Sequence, residues 1–141
     1  MSGTGQSDSQ GGVRDRFEQR YGAPLSGAME AIQREVIGAN AGASGYTTVA
    51  QADALADRLA MGPGMRLLDV GAGRGWPGLY LSEKTGCDVV VTDVPVPGMR
   101  SAHTRARERG LLRRASCIVA SGTHLPFRAR AFDAAVHTDV L

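Results

Sequence analysis

Leu67-Leu-Asp-Val-Gly-Ala-Gly-Arg-Gly-Trp-Pro-Gly78 decides how this 141-residue sequence is read. A short apolar run of buried-strand texture meets glycines at alternate positions, then a proline of the kind tolerated in the first turn of a helix. Without a Cβ, Gly71, Gly73 and Gly75 let the backbone turn tightly and come close to a ligand. The N–H groups that open the following helix favour a negatively charged group, and in open α/β sheets ligands bind at the carboxyl ends of the strands. A glycine-rich turn is also what an ordinary tight connection needs, so the stretch calls for support from its surroundings.

Working outward, the texture on the C-terminal side is that of β-α-β units: short apolar runs alternating with helical segments. Strands are expected at residues 66–70, 89–92, 116–120 and 132–137, and helices at 77–84 and 98–109, the latter ended by Gly110. On the N-terminal side helix-like spacing covers 13–21 and 25–37, with Phe17, Met29, Ile32 and Val36 as inward positions. Thr48 followed by Gln51 has the form of a capping box opening a helix over 49–60, and Met61-Gly-Pro-Gly64 is the turn that ends it. The expected organisation is a disordered tail at 1–12, a helical cap region at 13–64 and a cofactor-binding domain at 65–141. The fold class is α/β, a Rossmann-like parallel sheet preceded by helices.

Composition narrows the partners. Sixteen basic residues against fourteen acidic ones leave a formal charge of +2, too little to drive nucleic-acid binding by counterion release. Residues 1–12 have no basic start or apolar core, which argues against a secretory signal, and no apolar run is long enough to span a bilayer. Cys87 and Cys117 stand apart, without His or Cys at metal spacing, so no metal or disulfide framework is expected and a cytoplasmic location is. Both cysteines begin expected strands and are read as small buried hydrophobes.

Two details of the glycine stretch separate the nucleotide classes. Aligning Gly71 and Gly73 with the dinucleotide pattern G-x-G-x-x-G puts Trp76 where the last glycine belongs, which disfavours a nicotinamide enzyme. The run Asp69-Val-Gly-Ala-Gly-Arg-Gly75 instead closely resembles the first motif of class I S-adenosylmethionine-dependent methyltransferases. That resemblance implies that Gly71, Ala72, Gly73 and Gly75 lie under the methionine portion of the cofactor and that Asp69 helps hold its cationic amino acid end, often through water. It also implies that Asp93, at the end of the next strand, accepts hydrogen bonds from the ribose hydroxyls, a task suited to a carboxylate with several acceptor sites. Val94 would then lie against the adenine face. Ser121-Gly-Thr-His-Leu-Pro-Phe127 and Phe132-Asp-Ala-Ala-Val-His-Thr-Asp-Val140 are similar to the third and fourth motifs. They place Ser121 and Gly122 near the adenine, although many relatives have aspartate where Ser121 stands. Gly45-Tyr-Thr-Thr48 is similar to a lid segment, with Tyr46 over the cofactor or else packed as a structural ring.

The resemblance covers residue 65 onward. It implies methyl transfer from S-adenosylmethionine to a small-molecule acceptor, without metal, nucleic acid or membrane as partner. The alternatives are a non-catalytic fragment that retains cofactor or partner binding, and an NAD-dependent oxidoreductase. For a base, His137 with Asp139 is the candidate pair at the end of the fourth strand; His124 is a further histidine near the ligand side. His103 and the arginines on its helix are read as a solvated face. Family members continue with three more strands, so a partial copy is expected, with the edge of the fourth strand unprotected.

Overall fold

Leu67 and Leu68 project to opposite faces of the first strand, β1 (Arg66–Val70), and both are buried, so β1 is covered on both sides. In register, Leu67 lies opposite Val89 of β2 (Asp88–Asp93) and Ala134 of β4 (Ala134–Val136); β3 (Ala115–Val119) pairs with the far side of β2. All three pairings are parallel and the order is β3-β2-β1-β4. The chain steps outward through β2 and β3, then returns to lay β4 on the other side of β1. A sheet whose order reverses in this way leaves a crevice at the carboxyl ends of the two strands where the reversal occurs, here β1 and β4. This is the Rossmann-like sheet that the sequence predicts.

The computed structural model describes residues 7–38 and 47–138. Helix α4 (Gly78–Thr85) packs on β1 and β2, and α5 (Val96–Glu108) on β2 and β3. The buried face of α5 is Gly98, Met99, Ala102 and Ala106, mostly small side chains that let the helix lie close to the sheet. The main core joins this face to Leu67, Leu79, Leu81, Val89, Val91 and Val136. Helix α1 (Ser7–Gly22) rests on α5, and α3 (Val49–Leu59) on α4. The capping box at Thr48 forms in full, with Gln51 N–H donating to Thr48 Oγ1 at 3.2 Å and Thr48 N–H to Gln51 Oε1 at 2.8 Å. Tyr80 and Lys84 of α4 both donate to Asp53 Oδ1 of α3 at 2.6 Å.

Three expectations are corrected. Helix α1 starts at Ser7, within the stretch expected to be a tail; once a turn exists, each added residue gains a hydrogen bond at little further cost. Met29, Ile32 and Val36 of α2 (Gly27–Val36) are exposed, whereas Gln33 and the following Ile37 are buried. That is a rotation of one residue about the helix axis, and its cause lies outside the helix. Ile37 packs with Ala52 and Trp76 in a second core cluster, and its carbonyl accepts Val49 N–H at 2.9 Å. Cys117 lies in the middle of β3, half-buried, and only Cys87, fully buried, precedes its strand. The Phe17 side chain, Tyr46 and Asp139 lie outside the described residues.

Trp76 links this cluster to the glycine turn: its indole N–H donates to Thr47 O at 2.9 Å, and its ring meets Tyr80 with centroids 5.2 Å apart. Trp76→Ala is expected to cost about 3–5 kcal/mol, the usual loss for a buried large aromatic, read as a lower urea midpoint. A midpoint equal to the parent's contradicts the linking role.

Candidate functional site

The turn after β1 is built from its backbone bonds. Gly71 N–H and Ala72 N–H both donate to Thr92 O, at 2.8 and 2.9 Å, so the chain leaving β1 folds over the end of β2. Gly75 N–H closes the turn on Ala72 O at 2.8 Å. Gly71, Gly73 and Gly75 have φ of 74°, 59° and 95°, the left-handed region that penalises a side chain. At Gly75 a Cβ would also lie 2.5 Å from Leu79 Cδ1, so the turn is pressed against α4.

Asp93 ends β2 beside this turn. Its Oδ2 accepts Gly73 N–H at 2.8 Å and its Oδ1 accepts Val94 N–H at 2.8 Å. Each carboxylate oxygen has capacity for a further donor. Ala120 N–H donates to Asp93 O at 3.1 Å, which brings the segment after β3 to the same place. There Gly122 lies so close to the end of β1 that a Cβ would be 3.2 Å from Val70 Cγ1. Gly71, Ala72, Gly73, Asp93 and Gly122 are therefore gathered at the carboxyl ends of the strands, with Val94 exposed beside them.

Asp69 lies differently. It is 1% exposed, beneath the turn, and its Oδ2 accepts Gly78 N–H at 2.8 Å, holding the start of α4. Its Oδ1 is buried without a hydrogen-bond partner. Burial pushes its carboxyl well above the usual carboxylate range; the Gly78 bond opposes this and the nearby Asp93 charge adds to it. A group raised in the folded state keeps a proton that the unfolded chain releases, so stability falls as pH climbs past 3.8 toward the folded-state value. Asp69→Asn keeps the Gly78 acceptor and is expected to flatten that decline in melting temperature. Parallel declines in the two proteins contradict the assignment.

The remaining candidates are dispersed. Ser121 Oγ is engaged in its own turn, 2.8 Å from Thr123 Oγ1, which in turn lies 2.9 Å from His124 Nδ1. His137 is exposed immediately after β4, and His103 is exposed on α5. Phe132 and Asp133 serve the opposite end of the sheet. Asp133 Oδ2 accepts Arg66 N–H at 2.7 Å, Asp133 N–H donates to Arg66 O at 2.8 Å, and Phe132 stacks edge-on with Phe127. Burial lifts the Cys117 thiol to about 11, which makes it a poor nucleophile at neutral pH.

Sequence reading missed Arg74, the charged residue inside the glycine turn. It is 6% exposed, and its Nη2 donates to Arg20 O at 2.8 Å and Ala23 O at 3.2 Å at the end of α1. A cation beside the last carbonyls of a helix is favourable. The signal available was a lone arginine among glycines.

The residues fit a sulfonium nucleoside. Asp93 offers acceptors to a sugar, and Gly71, Gly73 and Gly75 present no side chain beside it. Trp76 fills the position of the third dinucleotide glycine with a buried ring, which disfavours a nicotinamide site.

Comparison with known proteins agrees. The chain is 38% identical over 79 residues to "Methyltransferase GfsG" of Streptomyces halstedii, a match that covers 56% of this chain and 28% of that protein. Among solved structures, a geranyl diphosphate methyltransferase in complex with SAM superposes with a TM-score of 0.63 at 28% identity, over 83% of this chain and 45% of that one. The [4+2]-cyclase SpnF superposes at 0.55 with 29% identity, over 80% and 48%. The chain spans less than a third of the length of the curated relatives it matches. No helix among the described residues is long and apolar enough to cross a membrane. Residues 67–141, more than half of the chain, match the family model described as "Methyltransferase domain", and the chain belongs to that family.

Proposed function

We propose that the chain binds S-adenosylmethionine in the crevice over the glycine turn and serves methyl transfer to a small-molecule acceptor. The observation that carries this reading is Asp93, fixed by Gly73 N–H and Val94 N–H at the carboxyl end of β2, beside the glycine turn. In this reading Asp93 accepts from the two ribose hydroxyls, Val94 flanks the adenine, and Ser121 and Gly122 border it. Gly71, Ala72, Gly73 and Gly75 carry the methionine portion, and Asp69 supports the turn from below.

Bound S-adenosylmethionine supplies an electrophilic methyl carbon. The chain's task is then orientation, because alignment for in-line attack accounts for much of such a rate. Trp76, bonded to Thr47 O, and Asp69, bonded to Gly78 N–H, tie the turn to its surroundings, so Asp93 and the glycines keep their spacing. If the acceptor arrives protonated, His137, with Asp139, is the candidate to take its proton. The same fold also carries a cyclase, so the activity is argued from the site and not from the fold. We place the protein in the cytoplasm, consistent with its two free thiols.

Calorimetric titration tests the reading. Saturable binding of S-adenosylmethionine or S-adenosylhomocysteine, with none of NADH, is the expected result. The reverse preference overturns it.

A further inference from the structure

Past β3 the chain makes a tight turn at the mouth of the crevice. Ala120 N–H is bonded to Asp93 O, and a Cβ on Gly122 would meet Val70 Cγ1 at 3.2 Å, so Ser121 stands between the ends of β2 and β1. His124 N–H closes the turn on Ser121 O at 3.0 Å. Three side chains are linked in series within it. Ser121 Oγ lies 2.8 Å from Thr123 Oγ1, which lies 2.9 Å from His124 Nδ1, and Thr123 N–H donates to Ser121 Oγ at 3.3 Å. Among the described residues neither hydroxyl has a partner outside this series.

A hydroxyl has one hydrogen to give and two lone pairs to receive, so the series admits two orders. With Nδ1 as an acceptor, Thr123 donates to it and is left to accept from Ser121. The Ser121 hydrogen is then held inside the turn, Thr123 N–H takes one lone pair of Ser121 Oγ, and the other lone pair remains for an outside donor. With a hydrogen on Nδ1 the order reverses: Thr123 fills both Ser121 lone pairs, and the Ser121 hydrogen has no partner within the turn. The first order pairs every hydroxyl hydrogen. It requires the imidazole hydrogen on Nε2, and His124 is exposed, so water is at hand to receive it.

We propose that His124, acting through Thr123, keeps the Ser121 hydroxyl hydrogen inside the turn, so that Ser121 offers the cofactor's base an acceptor only and selects a purine with an amino group over one with a carbonyl oxygen. The inference rests on the cofactor reading given above. His124 and Thr123 are positioning residues, which act on the base through Ser121. An amino group donates to the remaining lone pair, whereas a carbonyl oxygen in its place sets lone pair against lone pair with no hydrogen between them.

Calorimetric titration with S-adenosylhomocysteine and with S-inosylhomocysteine, in which a carbonyl oxygen replaces the adenine amino group, tests the proposal through the ratio of the two affinities. The parent is expected to favour the adenosyl ligand. Thr123→Val removes the middle hydroxyl at nearly constant shape and frees the Ser121 hydrogen, so the ratio is expected to fall about tenfold, roughly the effect of one hydrogen bond. His124→Leu is expected to lower it likewise, whereas His124→Asn, whose amide oxygen can stand in for Nδ1, keeps it near the parent's. A turn that merely lost its shape would weaken both ligands together and leave the ratio unmoved. A parent without preference, an unchanged ratio in Thr123→Val, or equal ratios in His124→Asn and His124→Leu overturns this inference and leaves the cofactor reading standing. Binding of neither ligand by the parent overturns both.

Discussion

Asp93→Ala is expected to bind S-adenosylmethionine about a hundredfold more weakly than the parent chain, or worse. The proposed site asks one carboxylate to accept from two hydroxyls, and hydrogen bonds to a charged group contribute about 1.5–3 kcal/mol each. Losing both corresponds to at least two factors of ten in affinity. The same substitution removes the acceptors of Gly73 N–H and Val94 N–H, so a stability loss of about 1–3 kcal/mol accompanies it. Titration well below the variant's melting temperature, with circular dichroism to confirm folding, separates the two effects. A folded Asp93→Ala protein with undiminished affinity removes the sugar-binding role.

The second large effect concerns folding. At Gly78 a Cβ would lie 2.6 Å from Asp69 Oδ2, 2.9 Å from Asp69 Cβ and 2.9 Å from Val91 Cγ1. These neighbours are buried on two adjacent central strands and have no room to retreat. Gly78→Ala must therefore push the start of α4 off the sheet, which also takes the Gly78 N–H from the buried Asp69 carboxyl. Overpacking costs about 1–3 kcal/mol and an unsatisfied buried polar group about the same again. The expected loss is about 3 kcal/mol or more in urea unfolding. Gly27→Ala is the control, because a Cβ there meets nothing within 4 Å; a change within about 0.5 kcal/mol is expected. Equal effects at the two glycines contradict the packing described for Gly78.

The elements nearest the glycine turn were the most legible in the sequence. β1 has the bounds expected from its apolar run, and the Thr48 and Gln51 pair forms the capping box that its spacing predicts. Such features depend on chemistry within a few residues, which a sequence displays directly. Helix α2 shows where that stops. Its periodicity indicates an apolar face, but Trp76, some forty residues onward, selects the neighbouring face through Ile37. A distant partner overrode the local pattern.

The candidate site divides in the same manner. Gly71 and Gly73 were legible because a tight turn at a strand end needs glycine, whereas Asp93 was singled out only through the resemblance to the methyltransferase motifs. The direction of the Asp69 carboxyl was not. Whether it faces the crevice or the start of α4 is decided by the closeness of Gly78, which depends on how α4 seats on the sheet. Arg74 escaped notice for a related reason: the carbonyls that hold it, of Arg20 in α1 and of Ala23 just after it, lie more than fifty positions earlier. Ser121, expected beside an adenine, has its hydroxyl in a local turn with Thr123, a competition that short polar side chains often enter.

Amide chemical shifts of the ¹⁵N-labelled chain during titration with S-adenosylhomocysteine test the central claim most directly. Saturable shifts at Gly71, Gly73, Asp93, Val94 and Gly122, following one binding curve, are predicted. Saturable shifts that leave Gly73 and Asp93 unmoved would contradict it.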